Sequence, residues 1–239
     1  MKLYPAIDML DGKAVRLQKG DFAAKKVYDE DPLSAARAWV AEGAKRLHVV
    51  DLDGARLGAP ANLEHLRRIV AETGVPVQFG GGLRSPGAVQ EALAAGAARV
   101  ILGTAAFLDP GFLADCLRRW PGQVLVSVDV RGGKVATAGW TETIDLDVSD
   151  VVEHLAEQGA HDLVFTNVDR DGMLEGPDRE QVAEVAAAVK GSLVYSGGIG
   201  ALADLEALAA VDGLDGTIVG KALYERRFTV AQAAAALRD

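Results

Sequence analysis

Two aspartates stand where a carboxylate could do proton chemistry. Asp8 ends the apolar run Leu3–Asp8 and Asp129 ends the run Val124–Asp129, and each is followed by a Gly-Lys pair, Gly12-Lys13 and Gly133-Lys134. A carboxylate at the end of an apolar strand is partly desolvated. When two such acids face one site, their environments push their pKa values apart, so that one acts as base and the other as acid. A second pattern suits anions. Gly81-Gly82 and Gly197-Gly198 follow the apolar runs Pro76–Phe79 and Ser192–Ser196, while Gly103-Thr104 and Gly220-Lys221 follow Arg99–Leu102 and Gly216–Val219. Glycine lets backbone N–H groups approach an oxyanion, and the start of the next helix adds partial positive charge. One such turn is only a turn. Two related sets imply two phosphates, one at each end of an elongated substrate.

Other residues admit two readings. Thr166, near the end of Asp162–Asn167, could bond a substrate hydroxyl or be satisfied by backbone. Asp171, in the turn VDRDGMLEGPD, is a turn-former before Gly172 or a second proton donor. Trp140 could stack on a heterocycle or pack its own loop. His48 lies within an apolar strand and reads as structural, and Cys116, in the patterned segment Phe112–Leu117, reads as a filler. No His, Cys and carboxylate spacing suits a metal, so no metal and no other cofactor is expected.

The elements that must position these groups alternate regularly. Strand candidates are the runs named above together with Arg46–Asp51. Between them Ala61–Ala71, Pro86–Ala95 and Val148–Gln158 carry the i, i+3, i+4, i+7 apolar period of amphipathic helices. Ser85-Pro86 and Asp109-Pro110 read as helix starts, and Gly43, Gly74, Gly96 and Gly159 as helix stops. Eight strand–helix units in 239 residues predict an α/β chain folded as a single-domain (β/α)8 TIM barrel, with its site at the C-terminal strand ends.

The halves also repeat. Ile7-Asp8 … Gly12-Lys13 returns 121 positions later as Val128-Asp129 … Gly133-Lys134, and Asp51 to Gly54 returns 118 positions later as Asp169 to Gly172. Gly81-Gly82-Leu83 matches Gly197-Gly198-Ile199, and Gly103 matches Gly220, in the same order. This predicts two similar half-barrels, about 1–120 and 121–239, with equivalent sites across one mouth.

Composition narrows the partner. With 25 Lys and Arg against 34 Asp and Glu, the formal charge of −9 argues against nucleic acid or an anionic membrane surface. A single cysteine forbids an intrachain disulfide and fits a reducing compartment. MKLYPAID lacks the apolar run of a signal peptide, and no stretch approaches a membrane span. The expectation is a cytoplasmic monomer acting on a small molecule.

These residues bring a family into view. The segments YPAIDMLDGKAVRLQKGDF, LHVVDLDGA, FGGGLRS, VSVDVRGGKV, FTNVDRDGMLEGPD, SGGIG and IVGKALY together resemble the phosphoribosylformimino-aminoimidazole carboxamide ribotide isomerase family of histidine biosynthesis, from Leu3 to about Glu225. The resemblance implies an Amadori rearrangement of a two-phosphate ribotide, the aminoaldose ProFAR, to the aminoketose PRFAR, without a cofactor. It implies Asp8 as general base at the sugar C2 and Asp129 as general acid, with Asp171 at a position where the family could also place the donor. It also implies that Gly81, Gly82, Gly103, Thr104, Gly197, Gly198 and Gly220 surround the phosphates. The cyclase of the same pathway is a sister fusion with Cys-Leu-Asp where this chain has Ala6-Ile7-Asp8. A dual-specificity isomerase that also takes the tryptophan-pathway analogue would carry arginine before the tryptophan, where this chain has Gly139 before Trp140. A non-catalytic sugar-phosphate sensor has no need of both Asp8 and Asp129.

Overall fold

Side-chain parity along each strand decides the architecture. On the first strand Leu3, Ile7 and Met9 join the outer core, whereas Tyr4 and Ala6 belong to a separate inner cluster with Ile101, Leu125, Val164, Val194 and Ile218. Strands buried on both faces close on themselves, with one set of side chains filling the centre and the other meeting the helices.

In the computed structural model, which describes residues 1–19, 21–137, 142–144 and 147–239, the strands are β1 (Lys2–Leu10), β2 (Lys13–Gln18), β3 (Asp21–Asp29), β4 (Leu47–Asp51), β5 (Val77–Gly80), β6 (Arg99–Leu102), β7 (Val124–Arg131), β8 (Lys134–Thr137), β9 (Glu142–Ile144), β10 (Leu163–Asn167), β11 (Leu193–Ser196) and β12 (Gly216–Val219). Eight of them, β1, β4, β5, β6, β7, β10, β11 and β12, pair in parallel in that order. The ring closes because β7 pairs β10 and β12 pairs β1. This is a (β/α)8 barrel.

The helices form where their signals stand. Ser85 caps Pro86–Ala94 by accepting from the Ala88 N–H at 3.2 Å, and Asp109 caps Pro110–Arg119 by accepting from the Phe112 N–H at 2.9 Å. The helix Leu63–Thr73 ends at Gly74, whose φ of 67° suits glycine. It turns Leu66 and Ile69 inward, and truncating either to Ala costs about 2–5 kcal/mol. Among the described residues no helix is long and apolar enough to cross a membrane.

Two loops differ from a plain reading. After β1 the chain forms an antiparallel hairpin, β2 with β3, and after β7 it forms β8 with β9. The strand signal there is weak, because charged residues such as Lys25 and Lys26 sit on the exposed face. The hairpins continue from β1 and β7 at the C-terminal end of the barrel, and Arg16, Leu17 and Phe22 of the first and Ala136 of the second line the cavity there.

Candidate active site

Parity also selects what faces the mouth. Asp8 lies two residues beyond Ala6 on the inner face of β1, and Ser127 and Asp129 lie beyond Leu125 on β7. Thr166 follows Val164 on β10 in the same way. All four line one cavity of about 260 Å³ at the C-terminal strand ends, joined by Asp171 from the loop after β10. The structure therefore brings together Asp8, Asp129, Asp171 and Thr166. Trp140 lies outside the described residues.

Arg16 organises the acids. It reaches from β2 into the cavity, donating from Nη1 to Asp8 Oδ2 at 2.8 Å, with Nη2 3.6 Å from Asp171 Oδ1. Burial is the largest influence on Asp8 and pushes its pKa up to about 6, against the lowering effect of Arg16 and reinforced by Asp171. Burial likewise raises Asp171, opposed by Arg16 and Lys221. Asp129 is half-buried and accepts from Ser127 Oγ at 2.7 Å. A base near pH 6 beside carboxylic acids of different burial is a set that can both remove and supply a proton.

Arg16 was missed in the sequence. Its signal was a charge inside the otherwise apolar run Ala14 to Leu17, in a segment read as loop. His48, read as structural, is buried but also lines the cavity.

The glycine turns gather into two sets. Gly81, Gly82, Gly103 and Thr104 line the large cavity, while Gly197, Gly198, Gly220 and Lys221 line a smaller cleft that shares Arg16, Asp171, Ser196 and Ile218 with it. The two sets are built alike. Gly81 and Gly197 have φ of 111° and 117°, and Gly82 and Gly198 have 72° and 79°. A Cβ on Gly81 would stand 2.1 Å from the Asp51 carbonyl oxygen, and one on Gly197 would stand 2.6 Å from that of Asn167. Glycine is demanded here by the preceding strand-end loop as well as by any ligand. That loop is itself held tightly: Asp51, fully buried, accepts from the N–H groups of Gly54, Ala61 and Asn62 and from Asn62 Nδ2 at 2.7–2.8 Å. Among the described residues no group of three or more His, Cys, Asp or Glu is placed to hold a metal.

Fold and site define a (β/α)8-barrel enzyme with an acid cluster at its mouth. The profile of the histidine biosynthesis protein family matches residues 2–229. The chain is similar to proteins named 1-(5-phosphoribosyl)-5-((5-phosphoribosylamino)methylideneamino) imidazole-4-carboxamide isomerase. It is 45% identical to the one from Dinoroseobacter shibae over all of both chains. It is 45% identical to the one from Gloeobacter violaceus, over 98% of this chain and 92% of the relative, and to the one from Synechococcus sp. strain JA-2-3B'a(2-13), over 98% and 89%. The chain belongs to the histidine biosynthesis proteins and, within them, to this isomerase family.

Proposed function

We propose that the chain converts the aminoaldose ProFAR to the aminoketose PRFAR by carboxylate acid–base catalysis, with no cofactor. The observation that carries this reading is the convergence of Asp8, Asp129 and Asp171 on one cavity, with Asp8 held near pH 6. A carboxylic acid protonates the ribose ring oxygen and the ring opens to an imine. Asp8, ionised at neutral pH, removes the C2 proton to give an enolamine. Protonation at C1, with the C2 hydroxyl giving its proton to the carboxylate that opened the ring, then yields the ketone at C2. Phosphates held at the two glycine sets fix the sugar between them.

Asp129 is the acid that the family resemblance implies. Asp171 competes for the role: it is more deeply buried than Asp129, and burial raises its pKa against the lowering effect of Arg16 and Lys221. Asp129→Asn and Asp171→Asn distinguish them: the acid's variant fails to open the ring of the aminoaldose but still isomerises a substrate supplied as the open imine, while the other variant still opens the ring.

The reading extends to a monomer in the cytoplasm, composed of two half-barrels that each supply one phosphate site. Turnover of the aminoaldose in D2O tests the chemistry, because proton removal at C2 and return at C1 places deuterium at C1 of the product. Binding without turnover supports the sensor reading instead.

A further inference from the structure

Beneath the acid cluster runs a row of polar side chains that the acid–base scheme leaves unused. The strand register places His48 opposite Gln78 on β4 and β5, and Gln78 opposite Arg99 on β5 and β6. All three point inward. Arg99 Nη2 donates to Gln78 Oε1 at 3.0 Å and to the Tyr4 hydroxyl at 2.6 Å, and Gln78 Nε2 lies 2.9 Å from His48 Nδ1. Gln78 is 2% exposed, in a barrel centre otherwise filled by apolar side chains.

The direction of this chain is forced. A guanidinium can only donate, so the Gln78 carbonyl must face Arg99 and its NH2 must face the imidazole. An NH2 can only donate in turn, so Nδ1 of His48 must be the accepting nitrogen. The ring proton then sits on Nε2. An imidazolium would set Nδ1–H against the amide N–H, donor against donor. Independently, burial and the nearby cations Arg16 and Arg99 push the His48 pKa down to about 3. The charged groups around the ring are thus Arg16 from β2 and Arg99 from β6, with Asp8 from β1 and Asp171 lining the same cavity.

His48 Nε2 makes no protein hydrogen bond among the described residues, is not enclosed, and belongs to a ring that lines the cavity. Register puts it close to the base: Ala6 pairs with His48 and Asp8 with Val50, so the imidazole sits one pleat below the carboxylate. We infer that Arg99 and Gln78 are positioning residues that fix His48 as a neutral Nε2–H donor, and that this donor bonds the sugar oxygen on C2 as it becomes the ketone oxygen. This rests on the isomerase reading above. Removal of the C2 proton sends electrons into the C1–nitrogen bond and leaves the C2 oxygen a hydroxyl. When the enolamine then collapses, that hydroxyl gives up its proton as C1 gains one, negative charge develops on the C2 oxygen, and a fixed neutral donor stabilises it without delivering a full charge to the site.

Nitrogen-15 spectra of the histidine-labelled protein, read without substrate, test the relay. The His48 resonances should show a protonated Nε2 and an unprotonated Nδ1 from about pH 6 to 9; a protonated Nδ1 in the wild type overturns the proposal with no variant needed. Gln78→Glu keeps the shape but presents an acceptor to Nδ1. It should make the neutral ring Nδ1–H, so that Nε2 donates only while the ring is charged. The kcat of Gln78→Glu should then fall as pH rises through the histidine titration, by about a hundredfold for one lost donor, a limb the wild type lacks, with KM changed little. A Gln78→Glu protein with the switched tautomer and wild-type kcat at pH 8 overturns the donor role. Wild-type protein that turns over no aminoaldose overturns the isomerase reading and the donor's target with it, while the spectra still decide the tautomer.

Discussion

Arg16 Nη1 donates to Asp8 Oδ2 at 2.8 Å, with the two side chains only 10% and 13% exposed. The guanidinium comes from the hairpin strand β2 and the carboxylate from the barrel strand β1, so hairpin and base are linked by charge. Arg16 is the principal influence holding the Asp8 pKa down against burial. Replacing it with Met should raise that pKa further and move the acid limb of kcat/KM to higher pH. Activity near pH 7 should fall on the order of tenfold and recover toward pH 9. A pH–rate profile checks this; an unmoved acid limb would mean that Asp8 is not the titrating base.

Asp8→Asn should lose turnover, and a variant retaining more than about a tenth of wild-type kcat, a barrier change under roughly 1.4 kcal/mol, contradicts the role. The same change should stabilise the fold. Asp8 titrates near 6 in the native state against 3.8 for the free side chain. Between those values the native state holds a proton that the unfolded chain has released, so this group's favourable contribution is complete below the unfolded pKa and is lost as pH rises through the folded one. Denaturant melts should show the Asn variant more stable by about 1–3 kcal/mol above pH 7 and equal to wild type below about pH 4.

The phosphate reading is best probed at Gly103. Its φ is −98° and a Cβ there meets nothing within 4 Å, so Gly103→Ala should fold normally. It should raise KM several-fold with little loss of kcat, as expected for uniform binding. An analogue lacking the phosphate on that side should be indifferent to it. Equal sensitivity in full substrate and analogue would remove Gly103 from the phosphate site.

Gly81→Ala and Gly197→Ala should behave differently. Both positions combine a φ above 110° with backbone oxygen inside 3 Å of any Cβ. Each should lower Tm markedly, at a cost of at least about 1–3 kcal/mol, before any effect on KM is readable. Thermal melts check this; unchanged melting would show that the strand-end loop is free to give.

Cys116 is fully buried, and burial pushes its thiol up to about 11. Alkylation at pH 8 should therefore be slow in native protein and fast after unfolding. Rapid native labelling would place the thiol at the surface.

The strand-end acids were legible because period and polarity coincide. A carboxylate closing an apolar run has few places to go, and the runs Arg99–Leu102 and Gly216–Val219 matched their strands residue for residue. Repeated glycine pairs were legible for the same local reason, since a φ near 110° at Gly81 excludes other side chains. What the sequence could not determine was which long-range neighbours those groups meet. Arg16 joins Asp8 only because the segment after β1 folds back as a hairpin, a pairing set by register rather than by local propensity. His48, Gln78 and Arg99 stand 51 positions apart end to end, each isolated among apolar neighbours, and only the parallel register of three strands lines them up. Burial, and with it the raised pKa of Asp8 and the neutrality of His48, belongs to the closed barrel, because desolvation is a property of everything packed around a group and not of the residues beside it in the chain.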